Sequence, residues 1–144
     1  MRGHLPWSGV DRRLRSMREI WVATAARDRG PDAVPVWFWW DGEAVYFSTK
    51  AMSRKARNIG ARADVVLHNG DGADPIILRG IAEPVLDRAE LERVDRGYAE
   101  KYVAPRTGER ATIFVDGDVT FRVRPRLVSA WAYADCATRT DWRL

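Results

Sequence analysis

Apolar and polar side chains alternate along short segments of this chain, with turn-forming residues between them. Such alternation is typical of half-buried β-strands and predicts a mainly β protein. The predicted strands are residues 20–26, 34–40, 44–49, 63–68, 74–85, 111–115, 119–124 and 127–133. Helices are predicted over residues 11–17, 53–62 and 87–102, with Asp11 capping the first and Asp87 the third. Gly80 inside the segment 74–85 predicts a bulge or a close approach by another backbone. Because turns join most strands without repeated strand–helix alternation, we expect an antiparallel barrel with helical insertions.

The Asp41-Gly42 pair separates two β-rich segments, residues 34–40 and 44–49. An Asp-Gly pair in this position favours a tight type I′ turn, whose two central residues both need positive φ. We therefore expect the two segments to pair as an antiparallel hairpin.

The first strand of this hairpin has no polar face. One side would carry Val34, Val36, Phe38 and Trp40, and the other Trp37 and Trp39. A strand with one wet face should alternate apolar with polar residues. The second side must therefore be covered by another subunit, another layer of the fold or a flat ligand, and a purely structural role in a dimer core is an open alternative.

A strongly basic segment follows the hairpin. No acidic residue lies between Glu43 and Asp64, whereas the basic residues there are Lys50, Arg54, Lys55, Arg57 and Arg62. Ser53 is a natural N-cap, which puts Arg54 and Lys55 in the first helical turn, where each cation costs about 0.3–1 kcal/mol against the helix dipole. A bound anion would reverse that effect. The segment predicts a phosphate site with hydroxyl donors from Ser48, Thr49 and Ser53, the alternative being an ordinary solvated face.

Composition narrows the class of protein. The 144 residues carry a net charge of +4, which suits an anionic ligand without requiring nucleic acid. Cys136 is the only cysteine and His4 and His68 are the only histidines, so we expect neither a disulfide nor a metal site. With no signal peptide and no long apolar run, we expect a soluble, cytoplasmic protein. One domain over residues 1–144 is expected, with an N-terminal arm at 1–10 and a C-terminal tail at 134–144.

The order of these motifs resembles the pyridoxamine 5′-phosphate oxidase-like split-barrel family of flavin- and deazaflavin-dependent oxidoreductases. The similarity rests on the strand PVWFWW, the turn DG, the strand VYFST and the helical SRKARNI. It covers residues 20–85 well and residues 119–133 loosely. The resemblance implies a six-stranded antiparallel split β-barrel and a homodimer with two sites at the subunit interface.

The resemblance also implies which residues bind the cofactor. Its phosphate would lie near Ser48, Thr49, Ser53, Arg54, Lys55 and Arg57, with Lys55 the first choice and Arg57 the second. The backbone of residues 36–38 (Val36, Trp37 and Phe38) would run along the ring and hydrogen-bond its polar edge. Trp131 of the other subunit would lie near the ring, and Asn58 would brace or cap the helix.

The chain departs from a true pyridoxamine phosphate oxidase because it is short and lacks that enzyme's C-terminal substrate-binding segment. It looks more like the branch that uses coenzyme F-420, a deazaflavin. Arg54, Arg62 and Arg79 would then meet the polyglutamate tail of that cofactor. FMN is the competing cofactor, since both share the phosphate and most of the ring.

The resemblance therefore implies hydride transfer from reduced coenzyme F-420 to an unsaturated small molecule. In such a reaction the cofactor carries the chemistry and the protein supplies orientation and charge. Water or Tyr133 would deliver the proton. Two other functions stay open: a flavin or deazaflavin carrier without turnover, and a single-strand nucleic-acid binder that uses the basic helix and the tryptophans. We rank the nucleic-acid function last and expect no membrane partner.

Overall fold

A computed structural model describes residues 4–28, 30–132 and 134–144 of the chain. The helices are α1 (Trp7–Ser16), α2 (Arg54–Ala61) and α3 (Arg88–Lys101). The strands are β1 (Glu19–Ala26), β2 (Gly30–Trp37), β3 (Trp39–Trp40), β4 (Val45–Lys50), β5 (Asp64–His68), β6 (Ile76–Pro84), β7 (Asp118–Ala132) and β8 (Asp135–Arg143). Strand accounts for 46% of the chain and helix for 23%, which confirms the mainly β class.

The strands form an antiparallel sheet in the order β2-β1-β5-β6-β7-β4-β3, with β8 paired to β7. The sheet curls into a half-barrel, as expected for a split barrel, with eight strands among the described residues rather than six. The inward residues of alternate positions, such as Ile20, Val22 and Leu67, are fully buried. Leu14 of α1 completes this core.

The hairpin expected around Asp41-Gly42 forms only in part. Residues of β2 pair with β1, from Glu19 opposite Trp37 to Ala26 opposite Gly30, and only β3 pairs with β4. The type I′ prediction is wrong, because no described residue other than glycine has positive φ. Instead the Asp41 carboxylate accepts the N–H groups of Glu43 and Ala44, both at 2.8 Å.

At Trp39, the second side of the tryptophan-bearing strand is covered by α3, which is another layer of the same chain. Phe38 and Trp40 are buried in the barrel core, as predicted. Trp39 packs on α3 so closely that a Cβ at Gly97 would lie 2.2 Å from its indole ring. The need for that contact explains a glycine inside a helix.

Residues 7–16 and 135–143 belong to the fold, which corrects the predicted arm and tail within the described residues. Residues 7–16 are helical, and Trp7 packs edge-on against Trp40 at 6.4 Å and Trp142 at 5.3 Å between ring centroids. Asp11 is not the N-cap of α1, since it lies inside the helix and accepts a hydrogen bond from Trp40 Nε1 at 2.8 Å. Residues 135–143 extend the sheet as β8.

The remaining differences concern the second half of the chain. Residues 111–115 are not a strand, and residues 118–132 form one long strand rather than two. The bulge predicted at Gly80 is present as a register shift, where a Cβ would lie 2.7 Å from Arg124 O. Both predicted caps are present, because Ser53 accepts from the N–H of Ala56 and Asp87 from that of Glu90. No helix among the described residues is long and apolar enough to cross a membrane.

Candidate functional site

The end of β4 and the start of α2 form a compact polar corner built from Thr49, Ser53 and Lys55. Lys55 Nζ donates to Thr49 Oγ1 at 2.7 Å, and the Thr49 and Ser53 hydroxyl oxygens lie 3.4 Å apart. Ser53 Oγ accepts the N–H of Ala56 at 3.2 Å and so caps the helix. The corner therefore joins a cation, two hydroxyl groups and a helix N-terminus, which together favour an anion.

Lys55 is held in an unfavourable state for a cation. Burial lowers the pKa of Lys55, and the nearby Asp32 only partly opposes this effect. Among the described residues, no carboxylate lies within ion-pair distance of its amine. A bound phosphate would provide the missing negative charge.

The other basic residues of the segment have different environments. Lys50 pairs with Asp118 at 2.8 Å, and Arg62 lies 3.6 Å from Asp64. Arg54 and Arg57 lie on the exposed face of α2. The structure thus separates Lys55, which faces the corner, from cations that face solvent or carboxylates.

Asn58 braces helix α2 against the barrel, as predicted. Its side chain is completely buried, and Nδ2 donates to Thr24 Oγ1 on β1 at 3.1 Å. This hydrogen bond docks α2 on the barrel and sets the position of the first helical turn. Thr24 is itself buried, so the contact is shielded from water.

Ser48 does not join the corner. Its hydroxyl group donates to Val119 O of β7 at 3.4 Å. Successive side chains of a strand point to opposite faces, so Ser48 and Thr49 cannot both face the same phosphate. The structure brings together Thr49, Ser53 and Lys55 from the predicted set and leaves Ser48 outside it.

Trp37 lies on β2, the strand that also carries Asp32, the carboxylate that acts on Lys55. The two residues are five positions apart, about 17 Å at the usual rise of a strand. The Trp37 indole stacks on Tyr102 with ring centroids 4.4 Å apart and planes 6° apart. The side chain remains 47% exposed, so the ring has surface left for a ligand. Val36 is partly buried beside it and packs against the core.

Residues 37–38, where β2 ends and β3 begins, are held by the last turn of α3. Phe38 N–H donates to Tyr102 Oη at 2.9 Å, and Phe38 O accepts from Lys101 Nζ at 2.9 Å and from Tyr102 Oη at 3.0 Å. Trp37 O accepts from Tyr98 Oη at 2.8 Å. These polar groups are already hydrogen-bonded, so the ring contact expected from the Phe38 backbone has no free donor or acceptor there. The edge of β2, the terminal strand in the sheet order, is the backbone that a ligand could reach.

Sequence reasoning did not single out Tyr98, Lys101 and Tyr102 as functional residues. Their spacing places them on one face of α3. Burial lowers the pKa of Lys101 to about 8 and raises the pKa of Tyr102 to about 12. Leu91, Val94 and Tyr98 recur at helical spacing and indicate an apolar, packed face of α3, but this spacing does not indicate which strand the helix contacts.

Trp131 lies apart from Trp37 within the chain. Strands β1, β5 and β6 separate β2 from β7, which carries Trp131. The Arg139 guanidinium lies 5.2 Å from its ring centroid. The resemblance implies that Trp131 would act at the site of a second copy of the chain. Tyr133, the candidate proton donor, lies outside the described residues.

Two of the three arginines expected to contact the polyglutamate tail of coenzyme F-420 lie on one surface of the protein. Arg62 and Arg79 line a cavity of about 440 Å³ on the outer face of β1, β5 and β6, together with Arg126. Arg54 instead lies in the first turn of α2.

Comparison with known proteins adds the family. The family model described as pyridoxamine 5′-phosphate oxidase matches residues 10–132. A search of curated proteins finds no match. Among solved structures, a conserved hypothetical protein from Mycobacterium tuberculosis is 25% identical, with a TM-score of 0.74 over 90% of this chain and 86% of that chain.

Two further structures resemble this fold. An F420 reductase is 26% identical, with a TM-score of 0.60 over 83% of this chain and 94% of that chain. A heme-binding protein from Mycobacterium smegmatis is 17% identical, with a TM-score of 0.74 over 96% of this chain and 59% of that chain. At 17% identity the second similarity concerns the fold alone.

Proposed function

The chain belongs to the pyridoxamine 5′-phosphate oxidase family, and on that premise we propose that it is an oxidoreductase using a flavin-type cofactor. In this proposal reduced coenzyme F-420 supplies a hydride to an unsaturated small molecule. The cofactor phosphate binds at the corner formed by Thr49, Ser53 and Lys55, with Arg57 at its exposed rim. Trp37 lies beside the ring.

The environment of Lys55 is the observation that carries this proposal. A lysine amine that is partly desolvated, hydrogen-bonded to a hydroxyl group and placed at a helix N-terminus is less favourable than a solvated one, and a bound anion would offset this cost. Phosphate fits these donors because the lysine supplies charge and the threonine and serine supply hydroxyl groups.

Coenzyme F-420 is favoured over FMN by the 26% identity to an F420 reductase and by the arginines near the corner. FMN is the second candidate, because it presents the same phosphate to the same residues. When bound, either cofactor would supply hydride chemistry. The residues of this chain would bind the phosphate, orient the ring against the β2 edge and limit its exposure to water.

A homodimer is part of the proposal. In a homodimer, Trp131 of one copy would cover the ring held by Trp37 and the β2 edge of the other. Light scattering during size-exclusion chromatography measures the mass directly. A monomer at working concentration would remove Trp131 from the site and leave the phosphate corner unaffected.

Titration of the protein with coenzyme F-420 and with FMN, followed by quenching of tryptophan fluorescence, tests cofactor binding. We expect saturable quenching that is reduced in Trp37→Phe, because the ring would lie against that indole. Failure of both cofactors to bind would contradict the proposed function.

Turnover is tested separately with bound, pre-reduced cofactor. Candidate quinones, enones and tetrapyrroles are added, and reoxidation is followed by absorbance. An acceptor that accelerates reoxidation supports an enzyme. A broad panel without effect would indicate a carrier that holds the cofactor without turnover.

A further inference from the structure

A second cavity lies next to Trp37, away from the phosphate corner. It measures about 430 Å³ and lies between the end of α3, Arg18 and the loop formed by residues 103–112. Small-molecule sites usually measure ~300–1,000 Å³. The cavity is therefore large enough for a compound of a few fused rings.

Hydrogen bonds hold the walls of this cavity in place. Ala111 N–H donates to Tyr102 O at 3.0 Å, and Arg110 Nη1 donates to Ala99 O at 3.0 Å. Ile113 N–H donates to Asp95 Oδ1 at 2.8 Å and ties the end of the loop to α3. A loop fastened at these points can present a preformed pocket.

The aromatic part of the wall is also rigid. Tyr102 stacks on Trp37 and is itself bonded to the backbone of Phe38 and Arg18. Trp37 keeps about half of its surface exposed and lines the cavity. A planar ring could stack on or pack against this indole without displacing a side chain.

Charge at the cavity selects one kind of planar compound. The Arg18 guanidinium carbon lies 5.4 Å from the Trp37 ring and 5.7 Å from the Tyr102 ring. Among the described residues no carboxylate forms an ion pair with Arg18. Glu109 and Arg110 also line the cavity and offset each other in charge, so Arg18 supplies one positive charge in excess.

We propose that this cavity binds a planar aromatic or conjugated compound carrying a single carboxylate. The ring packs against the part of Trp37 that faces this cavity, and the carboxylate accepts hydrogen bonds from Arg18. Trp37 also lines a separate cavity of about 290 Å³ beside Pro35 and Val36, which leaves that side of the indole to the cofactor ring. That this ligand is the acceptor of the hydride rests on the proposed function. The binding site itself depends only on the residues that line it.

Two matched probes test the site, 2-naphthoate and its neutral amide, each titrated by calorimetry into the protein as purified. Naphthoate should bind about two- to fivefold more tightly than the amide, the upper part of the range for one exposed charge pair. Arg18→Gln should abolish that preference, and Arg18→Lys should retain part of it. Arg12→Gln, an exposed change on α1, should leave it intact.

Equal affinity for the two probes, or a preference that persists in Arg18→Gln, would overturn the proposal. Trp37→Ala should weaken both probes, and unchanged binding in that variant would also overturn it. Naphthoate binding that depends on Arg18, in a protein that binds neither FMN nor coenzyme F-420, would support the cavity and refute the proposed function. Cofactor binding without naphthoate binding would support the proposed function and refute the ligand site in this cavity.

Discussion

Two polar regions of this protein lie at opposite ends of β4 and differ in whether their charged side chains are paired. At its end, the Thr49–Ser53–Lys55 corner contains a partly desolvated cation without a paired carboxylate among the described residues. Near its beginning, Tyr46 donates to Glu90 at 2.8 Å, Arg122 donates to both Glu90 oxygens at 2.6 and 2.8 Å, and α3 is thereby joined to the sheet.

The network around Glu90 neutralises itself. Arg93 bridges Asp41 at 3.0 Å and Tyr46 at 2.9 Å, so each charge has a partner. Burial acts to raise the pKa of Glu90, but hydrogen bonds from Arg122 and Tyr46 outweigh it and the pKa is lowered. A network with its charges paired in this way stabilises the position of α3. Among the described residues, it offers no unpaired charge to which a ligand would bind. The corner, by contrast, gains from an added anion.

The largest expected effect is on the network. Glu90→Ala leaves Arg122 and Tyr46 without their shared acceptor in a region that is mostly shielded from water. We expect the free energy of unfolding to fall by about 3 kcal/mol. Urea denaturation measures it.

Glu92→Ala is the matched control on the same helix. Glu92 forms an exposed i,i+4 pair with Arg88, so the loss should be below about 0.5 kcal/mol. Similar losses in the two variants would show that the network contributes no more than a surface pair.

The opposite pattern is expected at the corner. Lys55→Ala should weaken binding of FMN or coenzyme F-420 by about 1.5–3 kcal/mol, the scale of a hydrogen bond to a charged group. Its unfolding free energy should change little, because the variant removes a cation that burial already disfavours. Fluorescence titration and urea denaturation measure the two quantities.

Lys50→Ala is the control for this change, since its amine pairs with Asp118 and its side chain is 63% exposed. It should leave cofactor affinity unaltered. An unchanged affinity in Lys55→Ala would mean that the phosphate binds elsewhere.

A smaller effect is expected where α3 meets Trp39. Gly97→Ala would place a methyl group inside the indole contact and should cost about 1–3 kcal/mol of unfolding free energy. Gly60→Ala in α2, where no atom lies within 4 Å of the added carbon, should instead stabilise by about 0.5–1 kcal/mol. Thermal denaturation compares the two, and equal effects would contradict the close packing of α3.

The smallest effect is a pH dependence from Lys101. Its pKa is lowered by burial to about 8 in the folded protein, from 10.5 for an unperturbed lysine. Between these values the unfolded chain binds more protons, so Lys101 makes stability rise with pH in this window. Urea denaturation between about pH 8 and about pH 9.5 should show a steeper rise in the wild type than in Lys101→Met, below the range where tyrosines ionise. Identical slopes would show that the amine is hydrated.

Local signals predicted much of the corner correctly. Ser53 is the cap of α2, Asn58 braces the helix, and the basic residues begin at its first turn. These features depend on neighbours within a few residues, which sequence patterns report well. Whether Ser53, Arg54, Lys55 and Arg57 bind a cofactor, with Val36, Trp37 and Trp131, stays a prediction.

The pairing of strands that are distant in the sequence was not predicted. Val34 and its neighbours pair with β1 rather than completing the hairpin, because residue 38 is where the chain changes strand partner. The segment at 135–143 is polar enough to suggest a tail, yet it has β7 as a partner. An edge strand is hydrogen-bonded to a neighbour on one side only, and its residues can be largely polar. The composition of such a segment is therefore a poor predictor of strand structure.

The order of residues alone determined the mainly β class, the caps, the bulge at Gly80 and the concentration of cations after the tryptophan-bearing strand. Each of these depends on backbone conformation or charge over short distances. Only the tertiary structure decided which cation was desolvated and which was paired, and that α3 rather than a ligand covers Trp39. Those outcomes depend on which distant segments exclude water from a side chain, and burial of that kind is set by the packed fold as a whole.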